Sequence, residues 1–160
     1  MIDDLGTLDH VSDGWRIRFE RLIGHPPEAV WAALTDPAGT PTWWGELDAD
    51  LRVGGHYVMT WNEGRAVMRA TITAFDPPSL LETAGDEHHG TVRWELTREG
   101  TGTRLVFSST VADGGPEQLA GGLAGWHWHM DALPIALDGG RKPTSMDEWE
   151  AQRQRYLALI

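Results

Sequence analysis

The chain contains no cysteine. That absence excludes disulfides, thiolate metal sites and a cysteine nucleophile, and it leaves the redox compartment open. Long apolar runs are missing too: no stretch approaches the ~20 residues of a membrane span. Basic residues are few, 13 Lys and Arg against 24 Asp and Glu, for a net charge of −11. Such a surface repels phosphates and anionic headgroups, so neither nucleic acid nor membrane insertion is expected. The amino terminus, MIDDLGTLDH, is acidic and has no apolar centre, unlike a secretory signal. A soluble, cytoplasmic protein is the expectation. Catalytic signatures are absent as well, with no Ser-His-Asp spacing, phosphate loop, dinucleotide fingerprint or metalloprotease motif.

What the chain does have is length for one domain, 160 residues at 41% apolar, and nine tryptophans. Its organising stretch is PEQLAGGLAGWHWHMDALPIALD, residues 116–138, followed by Gly139-Gly140. Leu119, Leu123, Trp126, Met130, Leu133 and Leu137 recur at helical spacing and define one apolar face. Pro116 suits a helix start and the glycine pair suits its end. Gly121, Gly122 and Gly125 weaken the first half, each by up to ~1 kcal/mol relative to alanine. Pro134 deprives the Met130 carbonyl of its partner, which predicts a bend there.

Upstream, residues 1–13 show no period and read as a loose arm, with a single domain over 14–160. Trp15, Ile17, Phe19 and Ile23 alternate with polar residues in a half-buried strand, Arg21 being the exception on the apolar side. His25-Pro26-Pro27-Glu28 opens a helix that Thr35-Asp36-Pro37 stops, and Thr42-Trp43-Trp44-Gly45 suggests a second, short one. Two adjacent indoles cannot share a helix face, so at least one should point into a cavity or under a loop. Short alternating runs separated by turns then fill residues 47–111, the pattern of an antiparallel meander. A last helix is expected over Trp149–Leu159. The plan is α+β, a curved antiparallel sheet wrapped around a long C-terminal helix.

RLIGHPPEAVWAALTDPAGTPTWWG, DLRVGGHY, TVRWEL, GTRLVFSST and AGWHWHMDALPIALDG resemble, in that order, the family related to the activator of the Hsp90 ATPase. This family lies within the START-like or Bet v 1-like helix-grip superfamily, and the likeness runs from about Trp15 to Tyr156. The resemblance implies a seven-stranded sheet gripping the long helix, with a deep hydrophobic cavity between them. It implies a fold more than a function, because the superfamily includes lipid carriers, hormone receptors, polyketide cyclases and co-chaperones.

The residues themselves offer three functions. Trp44, Tyr57, Met59, Trp61, Met68, Trp94, Phe107, Leu123, Trp126, His127 and Met130 are the candidate lining of a cavity for a small hydrophobic, aromatic or lipid-like ligand. The bland alternative is that they are simply core. His127 and Asp131 stand four apart on one helix face, hence a polar anchor for that ligand or, alternatively, a general base in a cyclase- or hydrolase-type enzyme. In this view His129 is exposed. A zinc site would need a third ligand, and no metal or other cofactor is expected. The third function is a co-chaperone-like interaction module. The expected partner is a small hydrophobic molecule, with a homodimer and a further protein partner left open.

Overall fold

The computed structural model describes residues 4–160. In chain order it comprises β1 (Thr7–Val11), β2 (Gly14–Ile23), α1 (Pro27–Thr35), a 3₁₀ turn (Thr40–Thr42), β3 (Glu46–Ala49), β4 (His56–Trp61), β5 (Ala66–Asp76), β6 (Leu80–Asp86), β7 (Gly90–Glu99), β8 (Gly102–Val111), α2 (Pro116–Leu137) and α3 (Met146–Leu157). The strands form one antiparallel sheet in the order β1-β2-β8-β7-β6-β5-β4-β3. The α+β helix-grip plan is therefore the observed one, with α2 packed on the concave face of the sheet.

Three expectations change. Residues 7–11 are not a loose arm: they pair with β2 from Thr7 opposite Arg18 to Val11 opposite Gly14. The result is an eight-stranded sheet rather than a seven-stranded one. Of this strand only Leu8 packs against the core, with Leu5 just before it, which is too few apolar positions to show a period. Residues 1–3 of the predicted arm lie outside the described residues. The short helix expected at the tryptophan pair is a 3₁₀ turn over Thr40–Thr42, so the pair follows it rather than lying within it. The 3₁₀ turn closes on the Thr40 carbonyl, which accepts from the backbone N–H of Trp44 at 2.9 Å and of Gly45 at 3.0 Å. Both indoles are buried, and Trp43 Nε1 donates to the Ala33 carbonyl at 2.8 Å. The last helix begins before Trp149, because Ser145 caps it by accepting from the Glu148 N–H at 3.2 Å.

Local chemistry accounts for most of the remaining boundaries. The β4–β5 hairpin turns at Asn62 and Glu63, both with positive φ, followed by Gly64. α2 runs unbroken through Pro134. It ends where Gly139, at φ 90°, donates to the Ala136 carbonyl while Gly140 donates to that of Ile135. That pair of bonds is a Schellman cap. Arg93 bridges Glu82 and Glu95 on the outer sheet face, so that face is a solvated ion-pair surface. The inner face is aromatic: Trp94 packs on Phe107 with ring centres 4.6 Å apart, and Phe107 packs on Trp126 at 4.4 Å.

Candidate functional site

One opening of the fold lies beside the N-terminal half of α2. A cleft of about 570 Å³ is walled by Trp61 from β4, the β6–β7 turn, the end of β8, and Gly121, Gly122, Gly125, Trp126 and His129 from α2. Of the three glycines that weaken the helix, Gly125 makes room beside it, whereas Gly122 lies tight against Ile17. A Cβ placed on Gly125 would meet no heavy atom within 4 Å. A second cleft of about 540 Å³ lies across Trp61, Gly125 and His129, bounded by Trp44, Trp128 and the α2–α3 connection. Gly125 thus forms part of both. These volumes fall within the ~300–1,000 Å³ of small-molecule sites.

The polar groups at the clefts are few and distinct. His129 is only 8% exposed and is surrounded by Trp43, Trp44, Trp61, Trp126 and Trp128, with ring centres 5.1–6.3 Å away. Burial pushes its pKa down to about 4, although the Trp43 carbonyl at 3.3 Å favours the protonated ring. His129 is consequently a neutral imidazole at pH 7. His89 occupies the opposite wall, with Nδ1 2.7 Å from Oδ1 of Asp86. Asp86 is itself held by the backbone N–H groups of His88, His89 and Arg69. Burial pushes the Asp86 carboxyl up, but those hydrogen bonds outweigh it and hold its pKa below the usual value. Trp44 Nε1 is buried without a hydrogen-bond partner among the described residues.

Of the residues singled out in the sequence, Trp44, Trp61 and Trp126 reach the clefts. Tyr57, Met59, Met68, Trp94, Phe107, Leu123 and Met130 are at most 1% exposed and form the packed core instead. The indoles of Trp43, Trp44 and Trp94 fill the volume that a deep cavity would occupy. His127 and Asp131 lie on the other flank of α2, away from both clefts. There Gly6 N–H donates to the Tyr156 hydroxyl at 2.8 Å, and that hydroxyl stands 2.7 Å from His127 Nδ1. His127 Nε2 faces Asp131 at 3.4 Å, and Arg21 donates to the same carboxylate at 2.8 Å. Arg21, the lone charge on the apolar side of its strand, is thereby explained. Burial pushes the Asp131 carboxyl up, yet His127 and Arg21 hold its pKa below the ordinary range. His129 is buried rather than exposed. Residues 40–45 cover it from one side and the α2–α3 connection from the other. Asp86 and His89 carried no strong signal, although an acid three residues before a His-Gly turn is a visible pattern.

No curated protein sequence matches the chain. Solved structures do. CalU16 from Micromonospora echinospora is 24% identical with a TM-score of 0.75, over 96% of this chain and 94% of that one. A conserved protein of unknown function from Enterococcus faecalis, EF2215, is 19% identical with a TM-score of 0.77, over 96% and 89%. An AHSA1-like protein from Aeromonas hydrophila is 25% identical with a TM-score of 0.63, over 78% and 92%. These likenesses agree with the helix-grip architecture described above. Residues 24–138 match the profile of the Activator of Hsp90 ATPase homolog 1-like proteins, and the chain belongs to that family.

Proposed function

We propose that the protein binds a small hydrophobic, aromatic molecule in the cleft between α2 and the open end of the sheet. The observation that carries this reading is the wall itself. Trp61 and Trp126 present indoles to a space that Gly125 of α2 leaves open, with a neutral His129 as the buried polar group. Aromatic rings stack favourably on indole, by ~0.5–1.5 kcal/mol per pair beyond area burial. Trp61 and Trp126 are the residues we assign to ligand contact, together with His89 and His129. The general-base alternative on His127 and Asp131 draws no support from the geometry, because both are engaged with Tyr156 and Arg21 away from the open space. A small-molecule role also suits a similar structure, DynU16 from the dynemicin biosynthetic locus, which is 23% identical with a TM-score of 0.71 over 82% of this chain and 49% of that one. We place the activity in the cytoplasm, in keeping with the acidic composition.

The test is a titration of the protein with naphthalene, followed by tryptophan emission. The expected result is a saturable change. Gly125→Leu should remove it while leaving the fold intact, since leucine is the better helix former and its side chain enters both clefts. An emission change that never saturates, or that Gly125→Leu leaves in place, would contradict the proposal.

A further inference from the structure

We propose that His89 and Asp86 form a proton-accepting pair for a hydroxylated aromatic ligand seated in this cleft, a role that rests on the binding reading above. Asp86 has no freedom to turn away. Its Oδ2 accepts from the Arg69 N–H at 2.8 Å, and its Oδ1 accepts from the N–H groups of His88 and His89 at 3.0 and 2.9 Å. A carboxylate fixed in this way can only accept, so it takes the Nδ1 proton of His89 at 2.7 Å. That choice leaves Nε2 with its lone pair, and Nε2 has no partner among the described residues. The ring stands edge-on to both cleft indoles, at 5.4 Å from Trp61 and 6.4 Å from Trp126. His89 lines the same cleft as those two indoles, so a ring seated between them lies against the imidazole.

A hydrocarbon ligand would dry this nitrogen without satisfying it, whereas an O–H donor satisfies it. The other titratable groups around the cleft are Glu87 and His88 in the same turn, Asp113 after β8, and His129 on α2. The two carboxylates disfavour entry of an anion, so the ligand arrives as the neutral phenol or enol. The proton step is balanced within the site. The ligand O–H bond breaks, an Nε2–H bond forms, and the oxyanion faces an imidazolium whose charge is neutralised by Asp86. Asp86 acts as a positioning residue, setting the tautomer and stabilising the imidazolium.

The experiment uses 4-nitrophenol, whose phenolate absorbs at longer wavelength than the phenol, and nitrobenzene, which has the same ring without the hydroxyl. Both are followed by saturable quenching of tryptophan emission. With the pH held below the probe's ordinary ionisation, the phenolate-to-phenol ratio should be raised about tenfold or more in the bound state over the free state, as an adjacent cation shifts an acid by one or more pKa units. His89→Gln, which can accept a hydrogen bond but no proton, should lose that excess. Asp86→Asn should lose it too, because its amide can donate to Nδ1 and impose the other tautomer. The comparison of bound with free probe in the unaltered protein stands even if a variant fails to fold. Saturable nitrobenzene quenching with bound 4-nitrophenol no more ionised than free would overturn the proton-accepting pair and leave the binding reading intact. An excess that survives in folded His89→Gln would also overturn it. No saturable quenching by either compound would overturn both.

Discussion

A single ring, that of His129, shows how burial rather than spacing decides chemistry at the residue scale. Its pKa is pushed from the ordinary 6.5 to about 4, so between these values the unfolded chain binds a proton that the native state refuses. Stability is therefore full above about pH 6.5 and declines as pH falls toward about 4. Urea unfolding at pH 7 and pH 5 should differ by on the order of 2 kcal/mol, and His129→Gln should flatten the curve in this window. The carboxyls of Asp86 and Asp131, held below their ordinary value, lose their contribution only at lower pH. A slope unchanged in His129→Gln would mean that the imidazole is hydrated in the folded protein. The sequence pointed to His127 instead, because His127 and Asp131 share the helical i,i+4 relation whereas His129 has no such partner. Helical spacing reports neighbours within one element. It does not report the 3₁₀ turn and the α2–α3 connection that cover His129 from outside.

At the scale of elements, the strands and helices with strong alternation or strong stops were readable, and those defined by contacts were not. β5, β7 and β8 lie within the alternating runs predicted over residues 47–111, because turn residues flank them. β1 escaped notice because it is a polar edge strand whose pairing, not its composition, makes it a strand. The role of α3 was equally hidden, since Tyr156 matters through its hydroxyl. That hydroxyl joins the amino-terminal segment at Gly6 to α2 at His127, and the chain of bonds continues through Asp131 to Arg21 on β2. Tyr156→Phe keeps the ring packing but strands the Gly6 N–H and the buried His127 Nδ1. It should lower stability by ~1–3 kcal/mol, measured by urea denaturation. A loss well under that range would show that water replaces the hydroxyl and that the network does not tie these elements together.

For the molecule as a whole, family membership and the helix-grip plan were legible in the order of the motifs, while the shape of the interior was not. Tyr57, Met68 and Trp94 looked like walls of a deep cavity, yet each is at most 1% exposed and enclosed in the core. Residue types on the inner face of a sheet do not say how far the covering helix stands off, and here the adjacent indoles of Trp43 and Trp44 fill the difference. Two clefts border the glycine-rich part of α2 instead. Entry of an aromatic ligand is therefore expected there and at no other part of the molecule. The most direct measurement is a proton–nitrogen NMR spectrum of the nine indole N–H groups during titration with naphthalene. The resonances of Trp61 and Trp126 should move saturably with a common affinity, while Trp15 on β2 and Trp31 on α1, packed against His10 and Phe75, should not. Saturable movement confined to Trp15 or Trp31, or no saturable movement at all, would contradict the account.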